Sequence, residues 1–309
     1  MKKVLIVLPA LLAVLILSAC KTKTYDIVVT LYPQYDMVRT IVGDKDLTYT
    51  MILPPGVEAH DFEPTSRQVI QINQAKLFIY TSPELETWAK DVVDSDVIVV
   101  DLEAQTEAKI ELSHPDAHDH EHDEGETHDV HYWVSLDTQI HMVEAILDNI
   151  IAIDSKNADY YSDNANTLIE ALEDLHTRMS SIANPASKPI YFLGHNVFSS
   201  LNEEFSFNII SLTDSFSPDA DPTSIQISQM ISEIKSSQAK YVYFDPFESE
   251  SIAKTIQSDL KSAYGYEITL VPLHSMHNIS KDQYKSNTTL LELWEENLTN
   301  IRFTFETGL

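Results

Sequence analysis

The chain has 309 residues, 43% of them hydrophobic with 14 Tyr and 11 Phe, enough to bury a sizeable core. Its formal charge of −28 excludes a nucleic-acid binder, because phosphates demand a basic surface. An acidic surface attracts cations but also serves plain solubility, so charge alone assigns no ligand.

The first twenty residues carry Lys2 and Lys3, an almost unbroken apolar run over 4–17, and the close Leu17-Ser18-Ala19-Cys20. The run has the length of a secretory h-region and falls short of the roughly 20 residues that span a bilayer. The closing tetrapeptide resembles the bacterial lipobox, in which the Cys is acylated and becomes the mature N-terminus. Residues 1–20 are therefore expected to be a lipoprotein signal, with Cys20 as a lipid anchor on the outer face of the cell membrane. Losing Lys2 and Lys3 takes the charge to about −30. Cys20 is the only Cys, so no intramolecular disulfide forms and the core must hold itself.

Strands and helices alternate from there. A strand is predicted over 26–30, a helix over 35–42 stopped by Gly43, and a strand over 47–53 ending at Pro54-Pro55-Gly56. A helix from Thr65-Ser66 to Gln74, a strand over 76–80, a helix over 83–91 and a strand over 96–100 follow. The last has the unbroken apolar run expected of burial on both faces. Residues 116–129, dense in His, Asp and Glu, hold too few apolar side chains to fold alone, and a surface loop is expected. Helices are predicted over 136–153 and 158–182, with Leu168, Leu172, Leu175 and Met179 on one side of the second. Past Pro185 and Pro189, strands over 190–193, 208–212, 241–244 and 267–271 alternate with helices over 224–235, 250–262 and 281–300. This pattern implies an α/β fold of two lobes, each with a mainly parallel sheet flanked by helices. The expected division is a first lobe over 21–155, a connecting segment over 156–185 whose helix of roughly 25 residues is ~37 Å long, and a second lobe over 186–309. A helical connector is stiff, so large hinge closure is not expected.

The twelve histidines form two populations. His114, His118, His120, His122 and His128 lie in or beside the acidic tract. His60, His131, His195 and His274 follow or adjoin predicted strand ends or the tract, and open α/β sheets bind ligands outside the carboxyl ends of their strands. A lone His is more often structural, and spacing does not prove convergence. Three or four imidazoles meeting there would make a nitrogen-rich tetrahedral site suited to Zn²⁺. Asp245, in Phe244-Asp245-Pro246, reads as a capping carboxylate, His277 as a neighbour of the site, and His141 and His176 as helix-surface residues.

The segment Gly56-Val57-Glu58-Ala59-His60-Asp61-Phe62-Glu63-Pro64-Thr65 resembles the first metal-ligand motif of the metal-specific (zinc/manganese, cluster A-I) solute-binding lipoproteins of ABC importers. Asp129-Val130-His131-Tyr132-Trp133 is similar to that family's second motif, and Gly194-His195-Asn196-Val197-Phe198 to its third. Order and intervals match over essentially the whole mature chain. The resemblance implies two α/β lobes with metal in the cleft between them, held by His60 and His131 from the first lobe and His195 and His274 from the second. The chain departs from the pattern at Leu270-Val271-Pro272-Leu273-His274, where many relatives carry a carboxylate. Either His274 completes a four-histidine site, the favoured expectation, or a water does and His274 stands behind it.

Neutral imidazoles favour Zn²⁺ over the harder Mn²⁺, and the His-rich tract is typical of the family's zinc members. Because ligation needs deprotonated imidazole, affinity is expected to fall as pH drops through roughly 6.5. The five tract histidines are expected to form weaker, exchanging zinc sites. The resemblance further implies a monomer that passes zinc to an ABC importer permease. A manganese or iron importer protein of the same fold is the main alternative. A surface zinc hydrolase is disfavoured, since the chain has no His-Glu-x-x-His helix, and no enzymatic activity is expected.

Overall fold

Asp26 anchors the first sheet: its backbone carbonyl accepts from both Lys76 N (2.9 Å) and Leu77 N (3.1 Å), while its own N–H reaches Thr48 O at 2.8 Å. From that corner run β1 (Ile27–Val29), β2 (Tyr49–Met51), β3 (Leu77–Tyr80) and β4 (Ile98–Asp101), all parallel in the order β2-β1-β3-β4. A second parallel sheet repeats the arrangement in the order β6-β5-β7-β8, with β5 (Ile190–Phe192), β6 (Ile209–Ser211), β7 (Tyr241–Phe244) and β8 (Thr269–Pro272). This is a computed structural model describing residues 23–94, 96–113, 130–182, 188–215, 222–247 and 250–306. Cys20 and its signal, and His114, His118, His120, His122 and His128, lie outside them.

The central strands β1 and β3 are buried along their length, the reason their sequences are unbroken apolar runs. The same inference does not hold for β4. It is an edge strand, and Ile98 and Val99 remain 45% and 38% exposed. In the first lobe the helices are α1 (Tyr32–Val42), α2 (Ser66–Asn73) and α3 (Leu102–Ser113). Thr65 and Gln68 close a reciprocal capping box at the start of α2. Residues 83–91, expected to be helical, form turns. There the Glu86 carboxylate folds back onto the backbone N–H groups of Thr81 and Ser82, both at 3.0 Å, and competes with helix formation. Helix α3 was not foreseen, because the apolar side chains of its sequence follow no helical stripe.

Two long helices follow, α4 (Leu136–Ile153) and, after a 3₁₀ turn over Ser155–Asn157, α5 (Ala158–Ser180). The expected connector is thus α5, yet it does not bridge open solvent. It packs against α4 and α1 and against the last helix of the chain, α10 (Leu290–Glu306). Between them lie α6 (Ser199–Phe205), also unforeseen, α7 (Ser224–Ser236), α8 (Ser251–Tyr264) and α9 (Lys281–Lys285). The helix expected over 281–300 splits into α9 and α10 at Asn287, whose φ of +56° no helix accommodates. One apolar cluster runs from Ile27 through Leu172 and Phe192 to Ile301, so both sheets share a core. Polar ties cross the same boundary: Tyr32 Oη donates to Thr288 O (2.6 Å), and Leu290 N donates to buried Asp36 Oδ2 (2.7 Å) at the start of α10. A shared core and these ties favour a stiff pair of lobes. Among the described residues, no helix is long and apolar enough to cross a membrane.

Candidate metal centre

The loops after β2 and β5 and the turn that opens α4 contribute one imidazole each. The loop after β2 turns at Gly56, where φ is +82°, and Gly56 N is held by Ile279 O of the second lobe at 2.9 Å. Phe62 N closes onto Ala59 O at 3.1 Å, which fixes His60 between them. His131 begins a turn closed by Val134 N to His131 O at 2.9 Å, and that turn leads directly into α4. Both of its neighbours anchor it: Tyr132 Oη donates to Thr81 O (3.0 Å), and buried Trp133 donates its Nε1–H to Ser275 O (3.1 Å). The first turn of α4 is capped from the second lobe, where Glu204 of α6 accepts from Leu136 N and Asp137 N at 3.0 and 2.9 Å. His195 sits just past β5, in a stretch pinned between the ends of β6 and β7 by Leu193 N to Tyr243 O and Leu212 N to Gly194 O. Phe198 of the same motif is wholly buried, edge-on to Phe192 at 4.8 Å.

The three rings form a nearly equilateral triangle, with centroids 5.3 Å apart for His60 and His131, 5.4 Å for His60 and His195, and 5.3 Å for His131 and His195. One nitrogen from each lies within 4.8 Å of the others, an arrangement that could hold a metal ion. His60 Nε2 and His131 Nε2 are 3.2 Å apart. Two nitrogens of a tetrahedral Zn²⁺ site with bonds of 2.0–2.1 Å are separated by about 3.3–3.4 Å, so the spacing fits. His60 Nδ1 faces Glu58 Oε1 at 2.8 Å. Donation there leaves the lone pair on Nε2, pointing at the other two rings, the usual way a carboxylate fixes a ligand tautomer. Burial works to raise the Glu58 carboxyl, but its hydrogen bonding and electrostatic attraction to the His277 and His60 rings outweigh it and hold it well below the usual carboxylate range.

His274, the expected fourth donor, stands apart from this group. Its backbone is clamped to Asn297 of α10, N to Oδ1 at 2.8 Å and O from Nδ2 at 2.9 Å, and its Nε2 faces Glu296 Oε2 at 3.1 Å. Met276, with φ of +64°, reverses the chain two residues later, and His277 is the imidazole that comes to lie beside the triangle, 6.3 Å from His60 between centroids. His277 was expected only as a neighbour of the site and Glu58 only as a carboxylate near His60, and Glu204 carried no expectation. Met276 is not a residue type that advertises a left-handed backbone, so no sequence signal marked that reversal. Asp245 caps the same loop as expected, accepting from Ser275 N (3.1 Å) and Phe247 N (2.9 Å). His176 is a partly exposed helix residue near Glu204, whereas His141 is buried and pairs with Glu144 at 3.0 Å.

Residues 27–303 match the family described as zinc-uptake complex component A, periplasmic (ZnuA). The chain belongs to that family. It is 28% identical over 295 residues to the zinc-binding protein AdcA of Streptococcus pyogenes serotype M3, covering 90% of this chain and 55% of the relative. It is 27% identical over 282 residues to the high-affinity zinc uptake system protein ZnuA of Bacillus subtilis, covering 89% of this chain and 86% of the relative. The chain thus spans about half the length of the streptococcal relatives it matches, at 55%. Among solved structures, the Zn(II)-bound ZnuA-like domain of Streptococcus pneumoniae AdcA superposes with a TM-score of 0.72 at 22% identity, covering 91% of this chain and 99% of that one. The periplasmic zinc-binding protein TroA of Treponema pallidum superposes with a TM-score of 0.74 at 17% identity over the same shares. These two likenesses bear on the fold, two parallel four-stranded sheets flanked by helices. The family is a metal-binding component of an uptake complex, located outside the cytoplasm.

Proposed function

We propose that this chain captures Zn²⁺ as cargo outside the cytoplasm and passes it to the permease of an ABC importer, as a monomer tethered to membrane lipid through Cys20 and without enzymatic activity. His60, His131 and His195 hold the ion, and a water completes a four-coordinate set. His274, occupied by Asn297 and Glu296, stands outside it. The observation that carries this reading is the triangle of three imidazoles, two from the loops after β2 and β5 and one from the turn that opens α4, with His60 and His131 at zinc spacing. Three neutral nitrogens suit Zn²⁺ better than Mn²⁺, which prefers carboxylate and water oxygen, and so argue against the manganese alternative. The names of the streptococcal and bacillar relatives point the same way. The His-rich tract would serve as a looser collector, because an acidic segment too poor in apolar side chains to fold alone must be ordered around each ion at a cost in chain entropy.

The reading is tested in cells. Deleting the gene should lower accumulation of radiolabelled zinc under chelator and leave manganese accumulation intact, with zinc accumulation restored by the unaltered chain. Loss of manganese with zinc unaffected would overturn the choice of cargo.

A further inference from the structure

The loop 274–279 of the second lobe lies along the loop 54–60 of the first. Asn278 Nδ2 donates to Pro54 O (3.0 Å) and Val57 O (2.7 Å), and Gly56 N donates to Ile279 O (2.9 Å). At the centre of this seam the two oxygens of Glu58 face one imidazole each. Oε1 is 2.8 Å from His60 Nδ1, and Oε2 is 3.6 Å from His277 Nε2. His277 is fully buried, its Nδ1 is 2.6 Å from Ser275 Oγ, and its ring is edge-on to Phe247 at 4.8 Å. Ser275 is fixed in turn by Asp245 through its backbone N–H and accepts Trp133 Nε1 on its carbonyl. A chain of two hydrogen bonds and one 3.6 Å electrostatic contact therefore runs Ser275–His277–Glu58–His60, from the second lobe to a ring of the histidine triangle that belongs to the first.

From this geometry, and resting on the zinc-capture reading above, we propose that His277 is a positioning residue: through Glu58 it lets the second lobe set the orientation of His60, so that metal affinity depends on the seam between the lobes. His277 is not a donor to the ion. With Ser275 Oγ–H on Nδ1, the remaining ring N–H at Nε2 faces Glu58 Oε2 at 3.6 Å, an electrostatic contact, and the carboxylate is held where it accepts a hydrogen bond from His60 Nδ1–H. Partners of this kind, one layer behind the ligands, typically change metal affinity 10–100-fold. The left-handed backbone of Met276 is the local strain that turns His277 toward Glu58, and such strain persists only where surrounding contacts impose it.

The test is zinc affinity by chelator competition on residues 21–309, with X-ray absorption to count imidazoles on the bound ion. His277→Ala and Glu58→Gln should each weaken zinc about 10–100-fold with one equivalent still bound and the imidazole count unchanged. The double variant should be no weaker than the worse single, because both cut the same chain. His277→Gln, whose amide N–H can reach Glu58, should recover part of the loss, and this variant with Glu58→Gln decides the matter if His277→Ala does not fold. Unchanged affinity, fully additive losses, or one imidazole fewer in the His277 variants would overturn the proposal. His131→Ala in the same titration separates the two levels: if it keeps tight zinc, the triangle itself is not the metal site.

Discussion

Glu86 is a carboxylate kept in the first lobe at 4% exposure, against the turn that follows β3, and its removal has a signed, measurable consequence. Oε2 accepts from Thr81 N and Ser82 N, both at 3.0 Å, and Oε1 accepts from Thr81 Oγ1 at 2.9 Å. Burial raises this carboxyl to about 7 against an ordinary 4.5, despite those hydrogen bonds. Between pH 4.5 and 7 the unfolded chain gives up the proton while the folded protein keeps it. The folded state then binds more protons than the unfolded state. The Glu86 contribution is therefore complete below pH 4.5 and is lost as pH rises through 7. At 1.36 kcal/mol per pKa unit the swing has a ceiling of about 3 kcal/mol. Glu86→Gln keeps the bonding pattern, because the amide oxygen can take both backbone N–H groups and the amide nitrogen can donate to Thr81 Oγ1. The variant should match the parent at about pH 5 and exceed it by about 1–3 kcal/mol at about pH 8. Urea denaturation of metal-free residues 21–309 across that range measures the difference. A gap that does not change with pH, or a variant that loses ground as pH rises, would refute the reasoning.

Two further outcomes follow from single sites. Gly43 ends α1 at φ of +54°, and a Cβ there would fall 2.5 Å from Tyr160 Oη and 2.9 Å from Asn164 Nδ2. Gly43→Ala should cost about 1–3 kcal/mol in a denaturant melt; a neutral effect would mean that the turn relaxes freely. Deleting residues 116–129 should remove the weaker zinc equivalents seen by calorimetry and spare one tight site, whereas loss of tight binding would place a ligand in the tract.

Much of the architecture was legible because parallel strands buried on both faces read as unbroken apolar runs, as in β1 and β3. The same cue misled at β4, because an apolar run does not say whether a strand is central or at an edge. Helix α3 escaped notice because its helicity comes from packing against α4 and not from a stripe of its own. At the candidate metal centre, the meeting of His60, His131 and His195 was legible since each stands in a recognisable local motif. His277 was expected beside them and lies there, but the separation of His274 from them was not legible. It depends on one backbone reversal at Met276 and on Asn297, 23 residues away in sequence, fastening His274 elsewhere. The role of Glu58 was invisible for a related reason: it exists only once the loops 54–60 and 274–279 lie side by side.

The central claim is that His60, His131 and His195 together make one tight zinc site. It is tested most directly by titrating Zn²⁺ into residues 21–309 and into His60→Ala, His131→Ala, His195→Ala and His274→Ala, each against a competing chelator. One tight equivalent is expected in the parent and in His274→Ala, and none in the other three. Tight zinc surviving in any of those three, or vanishing in His274→Ala, would contradict the account.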